Sequence, residues 1–94
     1  MKYLIRFSKK GKESMFLLPK DTQSRIGKKL QYFMLAENPF FYAERLINRP
    51  NEYKFRVGNY RIIFTTKEVE NVLILLVLRV GHRRDIYNKK GRHT

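Results

Sequence analysis

Residues 53–66 carry the pattern that most constrains the fold, because they predict a β-hairpin together with its loop. Residues 53–57 alternate apolar and basic side chains, and residues 60–66 are rich in β-forming residues. Gly58 and Asn59 separate the two runs, and a two-residue loop of this composition is typical of a tight hairpin. The second half of the chain is therefore expected to contain an antiparallel strand pair.

The length of this loop also predicts which side chains share a face of the sheet. If pairing begins directly at the loop, Arg56 lies opposite Arg61 and Lys54 lies opposite Ile63, and directly opposed residues point to the same side. One face of the hairpin then carries three cations. The other face is apolar and is predicted to point into the core: Tyr53, Phe55, Val57, Tyr60, Ile62 and Phe64.

The first half of the chain predicts a strand followed by two helices. Residues 2–7 are rich in β-forming residues, and residues 8–18 can form a short helix with Ser8 as its N-cap. Residues 19–37 predict a second helix, with Pro19 in its first turn. The apolar residues of this helix recur at the spacing of one amphipathic stripe: Ile26, Leu30, Phe33 and Met34.

The remainder of the second half is predicted to be a link and a last strand. Residues 40–52 show no regular pattern, and residues 72–80 form a nearly continuous apolar run, which indicates a buried central strand. Arg79 is expected to join the basic face of the hairpin. The available anchors of the link are Phe41, Leu46 and Ile47. The core face of the last strand is predicted to consist of Val72, Ile74, Leu76, Leu78 and Val80.

These elements predict a single α+β domain over residues 1–94, with a basic tail from about residue 88. The expected architecture is an N-terminal strand, two helices and then an antiparallel three-stranded meander, with the helices packed on one face of the sheet. A chain of this length has room for one modest core.

The excess of positive charge predicts a polyanionic partner. Lys and Arg number 21 against 8 Asp and Glu, which gives a formal net charge of +13. A charge of this size on a small chain attracts RNA, DNA, the ribosome or an acidic protein. Charge alone does not distinguish among these partners.

The composition also excludes several kinds of site. The chain has no Cys, which excludes disulfides, thiolate metal sites and a Cys nucleophile and suits a reducing compartment. The longest apolar run, residues 72–78, is far too short for a membrane-spanning helix, which needs about 20 residues. The apolar part of residues 1–7 is too short for a signal peptide. We expect a cytoplasmic protein with no cofactor, no metal and no membrane contact.

The predicted pairing of Arg56 with Arg61 indicates a phosphate site. Like charges directly opposed across a hairpin are destabilising, by roughly 0.2–1 kcal/mol. No Asp or Glu lies between Glu52 and Glu68 to relieve the repulsion. A strongly basic chain pairs some cations by accident, but two opposed arginines also offer paired donors to anionic phosphate oxygens.

Two segments carry a family resemblance. The first is the hairpin, Tyr53-Lys-Phe-Arg-Val-Gly-Asn-Tyr-Arg-Ile-Ile-Phe, and the second is Val-Leu-Arg-Val-Gly-His-Arg-Arg-Asp-Ile-Tyr87. Together they resemble the RelE branch of the RelE/ParE toxin superfamily. Pro19-Lys-Asp, Glu-Asn-Pro39 and Arg45-Leu46 are similar to the family's N-terminal half, so the resemblance covers residues 2 to about 88.

The resemblance implies a toxin of a type II toxin–antitoxin pair. RelE members of the superfamily cut messenger RNA in the ribosomal decoding site and are silenced by a cognate antitoxin. The implied activity is that of a metal-independent endoribonuclease, and the implied partners are the ribosome, messenger RNA and an acidic, RelB-like antitoxin. The implied site residues are Lys54, Arg56, Arg61, Arg83 and Tyr87.

The expected chemistry uses a nucleophile that the RNA supplies. The 2′-hydroxyl attacks the adjacent phosphate, so the protein has to activate that hydroxyl, neutralise the phosphorane and protonate the leaving oxygen. Arg61 and Arg83, both expected on a solvent-facing surface, suit the charge stabilisation. Lys54 can exchange protons, and Tyr87 can stack on a base or orient the attacking hydroxyl.

The source of the transferred proton stays open, because Arg56 stands where the family often has lysine. Arginine does not readily donate a proton, so either Lys54 or His82 takes that role. His82 alternatively forms a backbone hydrogen bond that holds Arg83 in place. Lys28 and Lys29 can contact ribosomal RNA phosphates, although an ordinary solvated helix face is the favoured interpretation of this pair. Further RNA contacts are predicted at Arg79, Arg84, Lys28 and Lys29.

Two other functions are also compatible with the sequence. One is inhibition of DNA gyrase without nuclease activity, as expected of a ParE-like chain. The other is RNA or ribosome binding by a small basic protein without catalysis. The combination of Lys54, Arg61, Arg83 and Tyr87 favours the nuclease, because a gyrase inhibitor does not need a tyrosine placed to meet a phosphate.

Overall fold

The computed structural model describes residues 1–86, and the predicted basic tail lies outside them. Residues 83–86 form a helical turn after the last strand. The elements that precede it are, in order, β1 (Lys2–Phe7), α1 (Lys9–Phe16), α2 (Lys20–Met34), a 3-10 turn (Pro39–Tyr42), β2 (Ala43–Leu46), β3 (Arg49–Val57), β4 (Tyr60–Val69) and β5 (Val72–His82).

The five strands form one sheet in the order β1-β5-β4-β3-β2. β1 pairs in parallel with β5, and the other neighbours are antiparallel. The helices lie across one face of the sheet, which confirms the predicted α+β fold. None of the helices in the described residues is long and apolar enough to span a membrane. The core between the two layers consists of Ile26, Leu30, Phe33, Phe55, Val57, Ile62, Phe64, Leu75, Val77 and Val80.

The predicted irregular link at residues 40–52 is wrong, because it contains β2 and the first part of β3. The meander therefore has four antiparallel strands, β2 to β5, rather than three. Asn48 makes the hairpin between β2 and β3 possible, since it adopts a φ of 68°, a left-handed conformation that Asn tolerates better than most residues. Phe41 and Ile47 do not anchor this segment, being 84% and 86% exposed; Phe40 packs against the core instead.

A β-bulge in β5 overturns the predicted core face of that strand. Ile63 pairs with Arg79 but Phe64 pairs with Val77, so Leu78 is an extra residue. Because a bulge shifts the alternation by one residue, Val77 and Val80 both reach the core although they are three positions apart. Before the bulge, the fully buried residue is Leu75 rather than its predicted neighbours.

Helix α1 closes the free edge of β5 beyond the end of β1. Ser8 caps the helix by accepting a hydrogen bond from the Gly11 amide at 3.0 Å, as predicted, and the Ser8 amide donates to the Val77 carbonyl at 2.9 Å. The Ser14 hydroxyl accepts from the Val80 amide at 2.9 Å. The helix approaches so closely that a Cβ at Gly11 would collide with the Val77 carbonyl oxygen.

Candidate functional site

The hairpin between β3 and β4 has the predicted register. Val57 pairs with Tyr60, Arg56 with Arg61 and Lys54 with Ile63. The loop is tight because Gly58 adopts a φ of +60°, a conformation that glycine reaches without strain. Phe55, Val57, Ile62 and Phe64 are all buried in the core, so alternation places Lys54, Arg56 and Arg61 together on the opposite face. We call the latter the basic face.

Arg61 is not solvent-facing, contrary to the sequence prediction, since it is only 8% exposed. Its Nη1 donates hydrogen bonds to the Gly58 and Tyr60 carbonyls, both at 3.0 Å. The cross-strand neighbour of Arg61 on β5 is Gly81. Ile86 packs above Gly81, where a Cβ would lie 3.6 Å from the Ile86 Cδ1. The cation is therefore held in one place by the loop.

Arg83 reaches the same loop from the other side. The Arg83 backbone amide donates to the Asn59 carbonyl at 2.7 Å. Arg83 is exposed, as predicted. Both arginines are thus attached to the two-residue loop, Arg61 by its guanidinium and Arg83 by its backbone. This brings the fixed guanidinium of Arg61 and the backbone of the exposed Arg83 to the same end of the sheet.

Two carboxylates that sequence reasoning missed lie among the cations of the basic face. Glu44 is the cross-strand neighbour of Lys54, and its Oε1 lies 3.6 Å from the Lys54 Nζ. Glu52 Oε1 lies 3.9 Å from the Arg79 Nη2. Glu44 was missed because it is on β2, the strand that the sequence did not predict. The repulsion on this face is therefore partly offset.

His82 makes the backbone hydrogen bond that a structural role requires. Its Nδ1 accepts from the Arg84 amide at 3.2 Å, and its ring lies edge-on to Tyr60 with 5.4 Å between ring centroids. These contacts fix the start of the segment that carries Arg83. A neutral imidazole that accepts at Nδ1 carries its proton on Nε2.

The remaining predicted residues divide into three groups. Arg79 is half-buried on the basic face opposite Ile63, and Arg84 is exposed near it. Lys28 and Lys29 are exposed on α2, in the helical layer on the other side of the sheet, and the Lys29 Nζ lies 5.3 Å from the ring centroid of Tyr32. The structure therefore does not bring these two lysines to the basic face. Tyr87 lies outside the described residues.

The arrangement suits binding and stabilising an anion. Within residues 1–86, no cluster of three or more His, Cys, Asp or Glu side chains could hold a metal ion. Fixed guanidinium groups stabilise negative charge on a phosphate, because they need no reorganisation when the charge develops. Lys54 adds a further cation to this face, in an ion pair with Glu44.

Residues 5–87 match the family described as ParE toxin of type II toxin-antitoxin system, parDE. The chain belongs to this toxin family. It is therefore a member of the RelE/ParE toxin superfamily, as the resemblance of its two motifs implied. No curated protein sequence matches the toxin at a significant level.

Solved structures of RelE toxins share the fold of this toxin. The RelBE2 toxin–antitoxin complex from Mycobacterium tuberculosis is 21% identical with a TM-score of 0.66, over 90% of this chain and 95% of that one. A RelB–RelE complex from Methanococcus jannaschii is 24% identical with a TM-score of 0.62, over 88% and 95%. A doubly mutated Escherichia coli RelE bound to an antitoxin peptide is 21% identical with a TM-score of 0.60, over 100% and 99%.

Proposed function

We propose that this toxin is a ribosome-dependent, metal-independent endoribonuclease that cleaves translated messenger RNA. The observation that carries the proposal is the attachment of Arg61 and Arg83 to one loop of the basic face. Two cations held at one end of a sheet, with Lys54 and Arg56 on the same face, form a preorganised site for a phosphate that gains negative charge during reaction.

The proposed reaction divides the work between the RNA and the protein. The 2′-hydroxyl attacks the adjacent phosphate, the bond to the 5′-oxygen breaks, and the products are a 2′,3′-cyclic phosphate and a 5′-hydroxyl. Arg61 and Arg83 stabilise the phosphorane, and Arg56 binds the same phosphate. Lys54 exchanges protons with the reacting oxygens, with Glu44 at 3.6 Å as its partner. Tyr87 orients the attacking hydroxyl or stacks on a base.

The ribosome is proposed to position the substrate. The basic face is an open sheet surface, so the protein alone supplies little that would select a sequence or fix the 2′-hydroxyl in line with the leaving oxygen. Such alignment contributes strongly to catalysis, and the decoding site holds messenger RNA in a defined conformation. We also propose that the toxin acts in the cytoplasm, where translation takes place, and that it consists of a single domain.

An acidic antitoxin is the proposed regulatory partner. The net charge of +13 favours a polyanionic or acidic partner, and the RelE structures described above are complexes with RelB antitoxins. An antitoxin that covers the basic face would exclude messenger RNA from Arg56 and Arg83.

Cleavage in a translating extract tests the nuclease. A message translated by purified ribosomes should be cut on addition of the toxin and should yield 5′-hydroxyl ends, whereas the same naked RNA should be cut far more slowly. Equal rates on naked and ribosome-bound RNA would remove the ribosome requirement.

Gyrase inhibition is the second candidate, because the matching family is described as ParE toxin. The purified toxin should then inhibit supercoiling by DNA gyrase while leaving messages intact. Arrest of translation with neither cleavage nor gyrase inhibition would instead indicate a non-catalytic RNA-binding protein.

A further inference from the structure

A second basic site lies beside the proposed catalytic residues, in a groove between α1 and the sheet. The groove has a volume of about 830 Å³. The β5 bulge turns both Leu78 and Arg79 toward it, and with Leu17 and Ile86 they give it an apolar floor and a cationic rim. Its cations come from α1, β3 and β5: Lys9, Lys10, Arg49 and Arg79. We call it the α1 groove.

Glu52 arranges the two arginines of the α1 groove. Its Oε2 lies 3.3 Å from the Arg49 Nη1, and its Oε1 lies 3.9 Å from the Arg79 Nη2. The Oε1 atom is buried and has no hydrogen-bond partner among the described residues. One carboxylate thus lies between two guanidinium groups from different strands, hydrogen-bonded to that of Arg49 and in a longer ion-pair contact with that of Arg79. Each guanidinium has further N–H donors that can bind a ligand.

We propose that the α1 groove binds the phosphodiester backbone of single-stranded RNA that continues from the cleaved phosphate. The proposal rests on the proposed nuclease function and extends its substrate site. Arg79 on β5 lies opposite Ile63 on β4, which lies opposite Lys54 on β3. Arg79 of the groove and the proposed catalytic Lys54 are therefore on one face of the sheet, with a single strand between them. With about 4.8 Å between neighbouring strands, their backbones are about 10 Å apart, within reach of consecutive nucleotides.

The charge and the floor of the groove fit this occupant. Four cations line the groove against two carboxylates, that of Glu13, which also lines it, and that of Glu52, which pairs with Arg49 and Arg79. The excess of positive charge favours phosphates at the rim. The apolar side chains of Leu17, Leu78 and Ile86 offer contact to base or ribose faces, which suits single strands because their bases are unstacked and accessible. An acidic peptide would use the same charges, but the continuity with Lys54 favours RNA.

Binding of RNA oligonucleotides of two lengths tests the α1 groove. The probes are fluorescent 2′-O-methyl oligonucleotides of about 4 and about 16 nucleotides, which lack the attacking hydroxyl and so stay intact. The test variant is Lys9→Ala with Lys10→Ala. The matched control is Lys12→Ala with Lys20→Ala, which also removes two lysine charges that are exposed on helices and do not line the groove. Both changes replace lysine by a better helix former.

The groove variant should bind the long probe more weakly and with a weaker salt dependence. Each lost phosphate contact lowers the slope of log affinity against log salt by about 0.7 for single strands, so two contacts lower it by about 1.4. The short probe should bind nearly as it does to the parent, and the control should match the parent with both probes. An unchanged slope for the groove variant overturns the proposal.

The same proteins separate failure of the groove from failure of the nuclease. If the parent cleaves messages in a translating extract and the groove variant binds RNA as tightly as the parent does, the proposed RNA site in the groove is wrong and the nuclease proposal stands. Length-dependent loss of RNA binding without any cleavage by the parent supports the groove and rejects the nuclease. If the groove variant loses affinity for poly-L-glutamate but keeps its affinity for RNA, the groove is a protein-binding site and the RNA proposal is wrong.

Discussion

Replacing Arg61 by alanine should destabilise the toxin as well as inactivate it, whereas replacing Arg83 should only inactivate it. Arg61 is 8% exposed and donates to two carbonyls at 3.0 Å, that of Gly58 in the loop and that of Tyr60 at the start of β4. Hydrogen bonds that involve a charged group are worth roughly 1.5–3 kcal/mol each. Because the loop is at the surface, we take the lower value for both, about 3 kcal/mol in total.

Removing Arg61 also removes its repulsion with Arg56, which returns roughly 0.2–1 kcal/mol. The expected net loss in the free energy of unfolding is therefore about 2–3 kcal/mol. For a domain of this size, that loss corresponds to a melting temperature lower by roughly 10–20 °C. Arg83 is exposed and contacts the loop through its backbone amide, which Arg83→Ala retains. The free energy of unfolding of Arg83→Ala should therefore stay within about 0.5 kcal/mol of that of the parent.

Urea unfolding followed by circular dichroism measures both free energies, and cleavage in a translating extract measures activity. Each variant should lose roughly two to three orders of magnitude in rate, as expected when a preorganised charge is removed from the transition state. The activity of Arg61→Ala has to be measured where the variant is fully folded. If Arg61→Ala unfolds at the same urea concentration as the parent, the inference that the loop carbonyls hold this side chain is refuted.

Three further outcomes are expected. His82→Gln keeps a side-chain acceptor for the Arg84 amide and should retain most activity; loss of most activity with an unchanged melting temperature would instead assign His82 to proton transfer. Gly11→Ala should destabilise the fold by roughly 1–3 kcal/mol, because the added Cβ collides with the Val77 carbonyl. Gly27→Ala should stabilise the fold by roughly 0.5–1 kcal/mol, because nothing lies within 4 Å of the added Cβ. Equal melting temperatures for the two variants would contradict this expectation. The acidic antitoxin should bind more weakly as salt rises and should block cleavage, and salt-independent binding without an effect on cleavage would exclude electrostatic cover of the basic face.

The hairpin could be predicted in full because its pattern and its loop agree. Alternation assigns the two faces of residues 53–57, and a two-residue loop permits only one register close to Gly58. The pairing of Arg56 with Arg61 followed from these two facts alone. The apolar stripe of α2 was also predictable, because its apolar residues recur at the spacing that places them on one face of an α-helix.

The elements that sequence reasoning missed depend on tertiary contacts. The residues of β2, Ala43–Leu46, have no β-type alternation, so this strand exists because it pairs with β3. The β5 bulge was hidden because both faces of that strand are apolar, and a shift of one residue leaves no trace in such a run. The burial of Arg61 was missed because alternation assigns a residue to a face but does not show that its guanidinium turns back to the Gly58 and Tyr60 carbonyls. The role of Tyr87 stays a prediction.

Mapping of 5′ ends on translated messages after brief induction of the toxin tests the central claim most directly. Ligation that selects 5′-hydroxyl ends reports cleavage by 2′-hydroxyl attack, and the Arg83→Ala variant, expected to stay folded, is the control. The account predicts new 5′-hydroxyl ends confined to translated reading frames, and their absence with the control. Intact messages accompanied by gyrase-dependent DNA breaks would contradict it.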